Sequence, residues 1–101
     1  MECKKDSILP PDKIALLNKL ANQRFSRVPV QYIIKEWDFL ELTLKMNPPV
    51  FIPRPETEGL VIIASSLLKH KACKSLEIGP GTGAISLALL NRHKQVIFVL
   101  F

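Results

Sequence analysis

The chain has 101 residues, of which 48% are hydrophobic, and carries a net charge of +5. That length holds one small domain or a piece of a larger one, and that hydrophobic content excludes a wholly disordered chain. The positive charge is scattered and never forms a polybasic tail, so it reads as a solvated basic surface in preference to a dedicated nucleic-acid face, while still suiting an RNA-rich or acidic partner.

The start, Met1 to Ser7, has neither the pattern of a signal peptide nor that of an Arg-rich presequence. No apolar run approaches a membrane span, so no membrane contact is expected. Cys3 and Cys73 stand far apart, in no metal or redox spacing, which fits a reducing compartment. His70 and His93 each fall near the end of an expected helix, where partial positive charge is favourable, and read as helix-end residues instead of metal ligands.

Residues 1–10 form a lead-in. Pro11 and Asp12 open a helix whose Ile14, Leu17, Ala21 and Phe25 make one apolar face, and Pro29 stops it. In "VQYIIKEWDFLELTLKM", Trp37, Phe39, Leu42 and Leu44 alternate with Asp38, Glu41 and Thr43, which predicts two short strands in a hairpin. Asn47-Pro48-Pro49 breaks the run, and Val50 to Ile52 is extended. A helix is expected over residues 56–70, with Pro55 at its first turn, Glu56 and Glu58 at its positive end, and Leu60, Val61, Ala64, Leu67 and Leu68 as its buried stripe. Then come a buried-type strand over Ser75 to Ile78, a glycine loop, an apolar helix over Ala84 to Leu90, and a second strand over Gln95 to Phe101. Strand, loop, helix and strand make a βαβ unit. The apolar ending "VIFVLF" predicts the front part of a longer protein, because two parallel strands with one crossover helix cannot cover both faces of a sheet.

"LEIGPGTGA" carries the chemistry. Gly79, Gly81 and Gly83 lie between strand and helix, where glycine lets the backbone approach a ligand at a helix N-terminus. Gly79, Gly81 and Ala84 satisfy the G-x-G-x-x-G/A spacing of a dinucleotide site, so NAD stays open. Glu77, Gly79, Gly81 and Gly83 satisfy the S-adenosyl-L-methionine (SAM) pattern of an acidic residue followed by G-x-G-x-G. SAM is a sulfonium cation with an ammonium group and no pyrophosphate. A carboxylate beside it is attractive, and the same carboxylate beside a pyrophosphate is not. The residues therefore favour SAM over NAD, and a glycine turn holding no ligand is the third reading.

"PVQYII-x-EWDF", "VFIPRPETE", a helix and "LEIGPGTGAISLALL" together resemble the HemK/PrmC-type methyltransferases, which methylate the glutamine side-chain amide of peptide-chain release factors. The resemblance runs from about Pro29 to Leu90. It implies an α/β fold: the start of a Rossmann-like SAM-dependent methyltransferase sheet, preceded by a helix and a β-hairpin, and incomplete. It implies a remnant of an N-terminal helical substrate-binding domain at 1–28, a linker with a hairpin at 29–55, and the first part of a SAM-binding domain at 56–101. It places Phe51, Arg54, Glu56 and Thr57 on the cofactor side, with Glu77, Gly79, Pro80, Gly81, Thr82 and Gly83 as the main SAM loop. It implies a release factor as protein substrate, no direct nucleic-acid partner, and a mitochondrial location, with a cytoplasmic one as the alternative.

Asn47-Pro48-Pro49-Val50 looks like the Asn-Pro-Pro-Tyr segment with which this family grips its substrate amide. That segment follows the fourth strand in the family, well after the glycine loop, and ends in an aromatic ring. Here the tripeptide precedes the loop and ends in Val50, so it reads as a turn. No catalytic residue is therefore expected in the chain, and no metal site. Lys35 stands where the family usually has glycine, and Gly59 where it usually has a bulkier or acidic residue. The acidic residue that ends the family's second strand has no counterpart. These departures predict half a cofactor pocket and a chain inactive by itself, either a truncated catalytic protein or a non-catalytic isoform.

Overall fold

The computed structural model describes residues 7–101. Cys3 lies outside the described residues, and Cys73 is a half-buried free thiol. Helix α1 (Pro11–Phe25) has proline at its first position, where no N–H is needed, with Asp12 in the first turn and Arg24 in the last. It ends at Phe25 and not at Pro29. Ser26 caps it, and Arg27 takes a positive φ of 63° that turns the chain before the proline is reached. Its apolar face is formed but uncovered: no residue of α1 is buried, and Phe25 is 90% exposed.

The "VQYII" stretch is a short helix, α2 (Val30–Ile34), and not the lead of the first hairpin strand. Pro29 presets the backbone, and its carbonyl accepts from the N–H groups of Tyr32 and Ile33, closing a helical turn. Lys35, at φ 63°, ends it in the left-handed conformation. The hairpin follows as expected: β1 (Glu36–Phe39) pairs antiparallel with β2 (Leu42–Lys45), Phe39 opposite Leu42. Phe39 and Leu44 face inward and are buried. The N–H of Met46 donates to the Lys35 carbonyl at 2.9 Å, which closes the base of the hairpin. Asn47 to Val50 form a turn, with Val50 N–H donating to the Asn47 carbonyl at 3.1 Å and the Tyr32 hydroxyl donating to the Val50 carbonyl.

Helix α3 (Pro55–Leu68) starts with proline and carries Glu56 and Glu58 in its first turn. Glu58 also accepts the N–H of Leu40 at 3.0 Å, tying the hairpin turn to the helix start. The expected apolar stripe is only partly covered. Val61 is fully buried, whereas Leu60 is 53% and Leu67 64% exposed along an open groove beside the next strand. That strand, β3 (Lys74–Glu77), pairs in parallel with β4 (Ile97–Leu100) across helix α4 (Ala84–Arg92), so the βαβ unit is present. The strand is not of the buried type expected: Leu76 is 63% exposed, since two strands leave one face and both outer edges bare. The core lies elsewhere, between hairpin, α3 and α4: Phe39, Leu44 and Met46 pack against Val61, Ala84, Ala88 and Leu89. Each buried large side chain there contributes roughly 1.5–3 kcal/mol by leaving water. That packing holds α3 and α4 together and so fixes the two loops that precede and enter them.

Candidate functional site

Those two loops face each other. The segment before and into α3 and the glycine loop before α4 enclose a recess of about 210 Å³. Phe51, Pro53 and Thr57 line one wall; Glu77, Gly79, Pro80, Gly81 and Thr82, followed by Ala84 and Ile85, line the other. Of the residues singled out in the sequence, Phe51, Thr57, Glu77, Gly79, Pro80, Gly81 and Thr82 are thus brought together. Arg54, Glu56 and Gly83 lie outside this lining. Arg54 reaches the recess indirectly, its guanidinium carbon 6.0 Å from the centre of the Phe51 ring. Pro53, Ala84 and Ile85 join the walls without having been singled out, because small apolar residues carry no chemical signal in a sequence.

The glycine loop is held by its own backbone. Phe101 N–H donates to the Glu77 carbonyl at 2.9 Å and Gly79 N–H to the Phe101 carbonyl at 3.0 Å, continuing the β3–β4 ladder into the loop. Gly83 N–H donates to the Pro80 carbonyl at 2.7 Å, and Ala84 N–H to the Thr82 hydroxyl at 3.3 Å. Gly81 has φ 55°, in the left-handed region that favours glycine, and stands across from Phe51, whose Cβ would lie 4.0 Å from a Cβ built there. Gly83 has φ 77° and caps α4 in the left-handed region.

Glu77 is the one acidic residue in the lining. Partial burial pushes its carboxyl above the ordinary value, and a backbone hydrogen bond from Ser86 opposes that shift. The Ser86 hydroxyl also donates to its Oε2. Ser86 is 2% exposed on the inner face of α4. It therefore orients the carboxylate from behind the recess. Reading the glycine spacing alone overlooks it, because the sequence does not say which face of α4 is turned inward.

No protein-family model matches the chain. Among curated proteins, it is 45% identical over 95 residues to the MTRF1L release factor glutamine methyltransferase of Homo sapiens, covering 86% of this chain and 28% of that protein. It is 42% identical over 86 residues to the release factor glutamine methyltransferase of Vibrio cholerae, and 45% identical over 83 residues to that of Buchnera aphidicola. Over about 85% of its length the chain is similar to this HemK/PrmC-type family. It spans only about 30% of the length of these curated relatives.

In this chain none of Asn47 to Val50 lines the recess. No group of three or more His, Cys, Asp or Glu side chains is gathered for a metal among the described residues. No helix among them is long and apolar enough to cross a membrane.

Proposed function

We propose that the recess is one wall of a SAM site and that the protein to which these residues belong methylates a glutamine side-chain amide of a release factor. One observation carries this reading: the fold sets the "IPRPETE" segment against the glycine loop, with Glu77 in the lining between them. The residues suit the cofactor. A carboxylate at the strand end attracts an ammonium group, and the open backbone at Gly81 admits a ligand beside the Phe51 ring. Bound there, SAM supplies a methyl group on a sulfonium, already reactive toward a nitrogen nucleophile. The recess of about 210 Å³ is smaller than the roughly 300 Å³ at which pockets for ligands of this size begin. These 101 residues therefore hold part of the cofactor and, by themselves, transfer no methyl group. The sheet is read as the beginning of a Rossmann-like one. The protein substrate and a mitochondrial location follow from the resemblance.

Amide NMR spectra of the chain with and without SAM test the reading. Shifts at Gly79, Gly81, Gly83 and Thr57 are expected, with no methyl incorporated when a release factor is added. Larger shifts with NAD than with SAM would turn the reading to a dinucleotide-binding oxidoreductase. Spectra indifferent to both would leave a non-catalytic isoform.

A further inference from the structure

The charge that is scattered along the sequence is not scattered in the fold. From Gly59 to Phe101 there are five Lys and Arg residues and one acidic residue, Glu77, a net +4 of the chain's +5. Glu77 sits at the C-terminal end of β3, in the SAM recess. All five cations and both histidines sit at the opposite end of the βαβ unit. Lys69, His70, Lys71 and Lys74 occupy the α3–β3 connection and the first residue of β3. Arg92, His93 and Lys94 occupy the end of α4 and the turn into β4, and the parallel register sets Lys74 opposite Ile97, so the two connections meet.

They enclose a second recess, of about 560 Å³, lined by Lys69, His70, Ala72, Arg92, His93 and Gln95. Two of its groups are already engaged: Arg92 pairs with Glu41 at 2.5 Å, and His93 Nε2 is 2.6 Å from the Ser65 hydroxyl. Arg92–Glu41 is the one ion pair among the described residues, so Lys69, Lys71, Lys74 and Lys94 face solvent without a carboxylate. Helix C-termini favour nearby cations, which accounts for Lys69 and Arg92. It does not account for Lys71, Lys74 and Lys94, which lie beyond the helices.

We infer that this end of the molecule is a binding face for the phosphodiester backbone of a nucleic acid. Its free cations are ammonium groups, which meet phosphates as point charges. The guanidinium fork that suits a protein carboxylate is held by Glu41. The recess has no Phe, Tyr or Trp in its lining, so it offers neither a stacking platform for bases nor the apolar wedge of a membrane-surface site. The face should therefore read charge and not sequence. The inference does not depend on the SAM reading.

The test is fluorescence anisotropy of a labelled single-stranded RNA, and of DNA of the same sequence, with the whole chain. The control compares two sets of neutralised residues of equal charge. One is Lys69→Gln, Lys71→Gln, Lys74→Gln and Lys94→Gln; the other is Lys13→Gln, Lys19→Gln, Arg24→Gln and Arg27→Gln on and after α1. With about four phosphates contacted, the logarithm of affinity should fall with the logarithm of salt at a slope of about −3. The first set should lose about tenfold or more in affinity and the second less than about threefold, with RNA and DNA bound within about threefold of each other. If the first set fails to fold by circular dichroism, the pair Lys71→Gln and Lys94→Gln must still lose about threefold or more. Equal losses in the two sets, no binding by the unaltered chain at low salt, or tighter binding to phosphatidylserine vesicles or to polyglutamate would overturn the inference.

Discussion

Glu77 is subject to two opposite effects on its charge. Burial raises its pKa above the ordinary 4.5, and a backbone hydrogen bond from Ser86 pulls it back. Between the ordinary and the raised value, the folded chain holds a proton that the unfolded chain has released. The stability this group contributes is thus fully present below about 4.5 and is lost as pH rises through the raised value. Attraction for an ammonium group runs the other way, because it needs the carboxylate. SAM affinity measured by calorimetry should therefore weaken as pH falls through that window, above the titration range of an ordinary glutamate. Glu77→Gln should bind SAM weakly and without that pH dependence, while unfolding at a slightly higher urea concentration at neutral pH. An affinity for SAM that stays flat across the window would remove Glu77 from the site.

Among the elements, the junction of α2 and β1 shows how a local departure is carried by its surroundings. Lys35 is exposed, adopts φ 63°, and must do so for α2 to end and its carbonyl to accept from Met46 at 2.9 Å. A side chain costs about 1–2 kcal/mol in that conformation, and glycine gives back part of this through its freer unfolded state. Lys35→Gly should raise stability by about 0.5–1 kcal/mol, read as a higher urea midpoint with an unchanged slope, whereas Lys35→Ala should not. Equal midpoints for the two variants would mean that charge, and not backbone strain, governs the position. The same junction marks what the sequence made legible. The alternation of Trp37, Phe39, Leu42 and Leu44 announced the hairpin, and Pro55 with Glu56 and Glu58 announced α3. The helix α2 was hidden because its five residues are too few to show a period, and Val30, Ile33 and Ile34 are β-branched. Glu77 and the glycines stood out as a candidate site because an acidic residue ending an apolar strand and three alternating glycines, all at positive φ here, are local signals. Ser86 was not, since its role depends on which face of α4 is turned inward. The exposure of Leu60, Leu67 and Leu76 was illegible too, as a pattern shows which residues share a face and not whether anything covers it.

At the scale of the whole molecule, the chain measures 54 × 31 × 20 Å with a radius of gyration of 18.2 Å. A compact chain of this length would have about 13 Å. The difference comes with α1, which buries none of its residues, while the hairpin, α3 and α4 hold the core. Stability and the recess between Phe51 and the glycine loop should therefore reside in residues 29–101 alone. Among residues 8–28, a chain beginning at Pro29 loses exposed side chains and the half-buried Leu20, Gln23 and Val28. Substitutions at such surfaces change stability by about 0.5 kcal/mol, which shifts the melting temperature of a domain this size by about 2–4 °C. Thermal unfolding followed by circular dichroism should show a shift no larger than that, with the SAM-induced changes at Gly79, Gly81 and Gly83 unaltered. A fall of more than about 8 °C would mean that α1 contributes over 1 kcal/mol, which its exposed face does not explain. In that case the apolar residues Ile14, Leu17 and Phe25 would have to pack in solution against part of the chain that they do not touch in this structure.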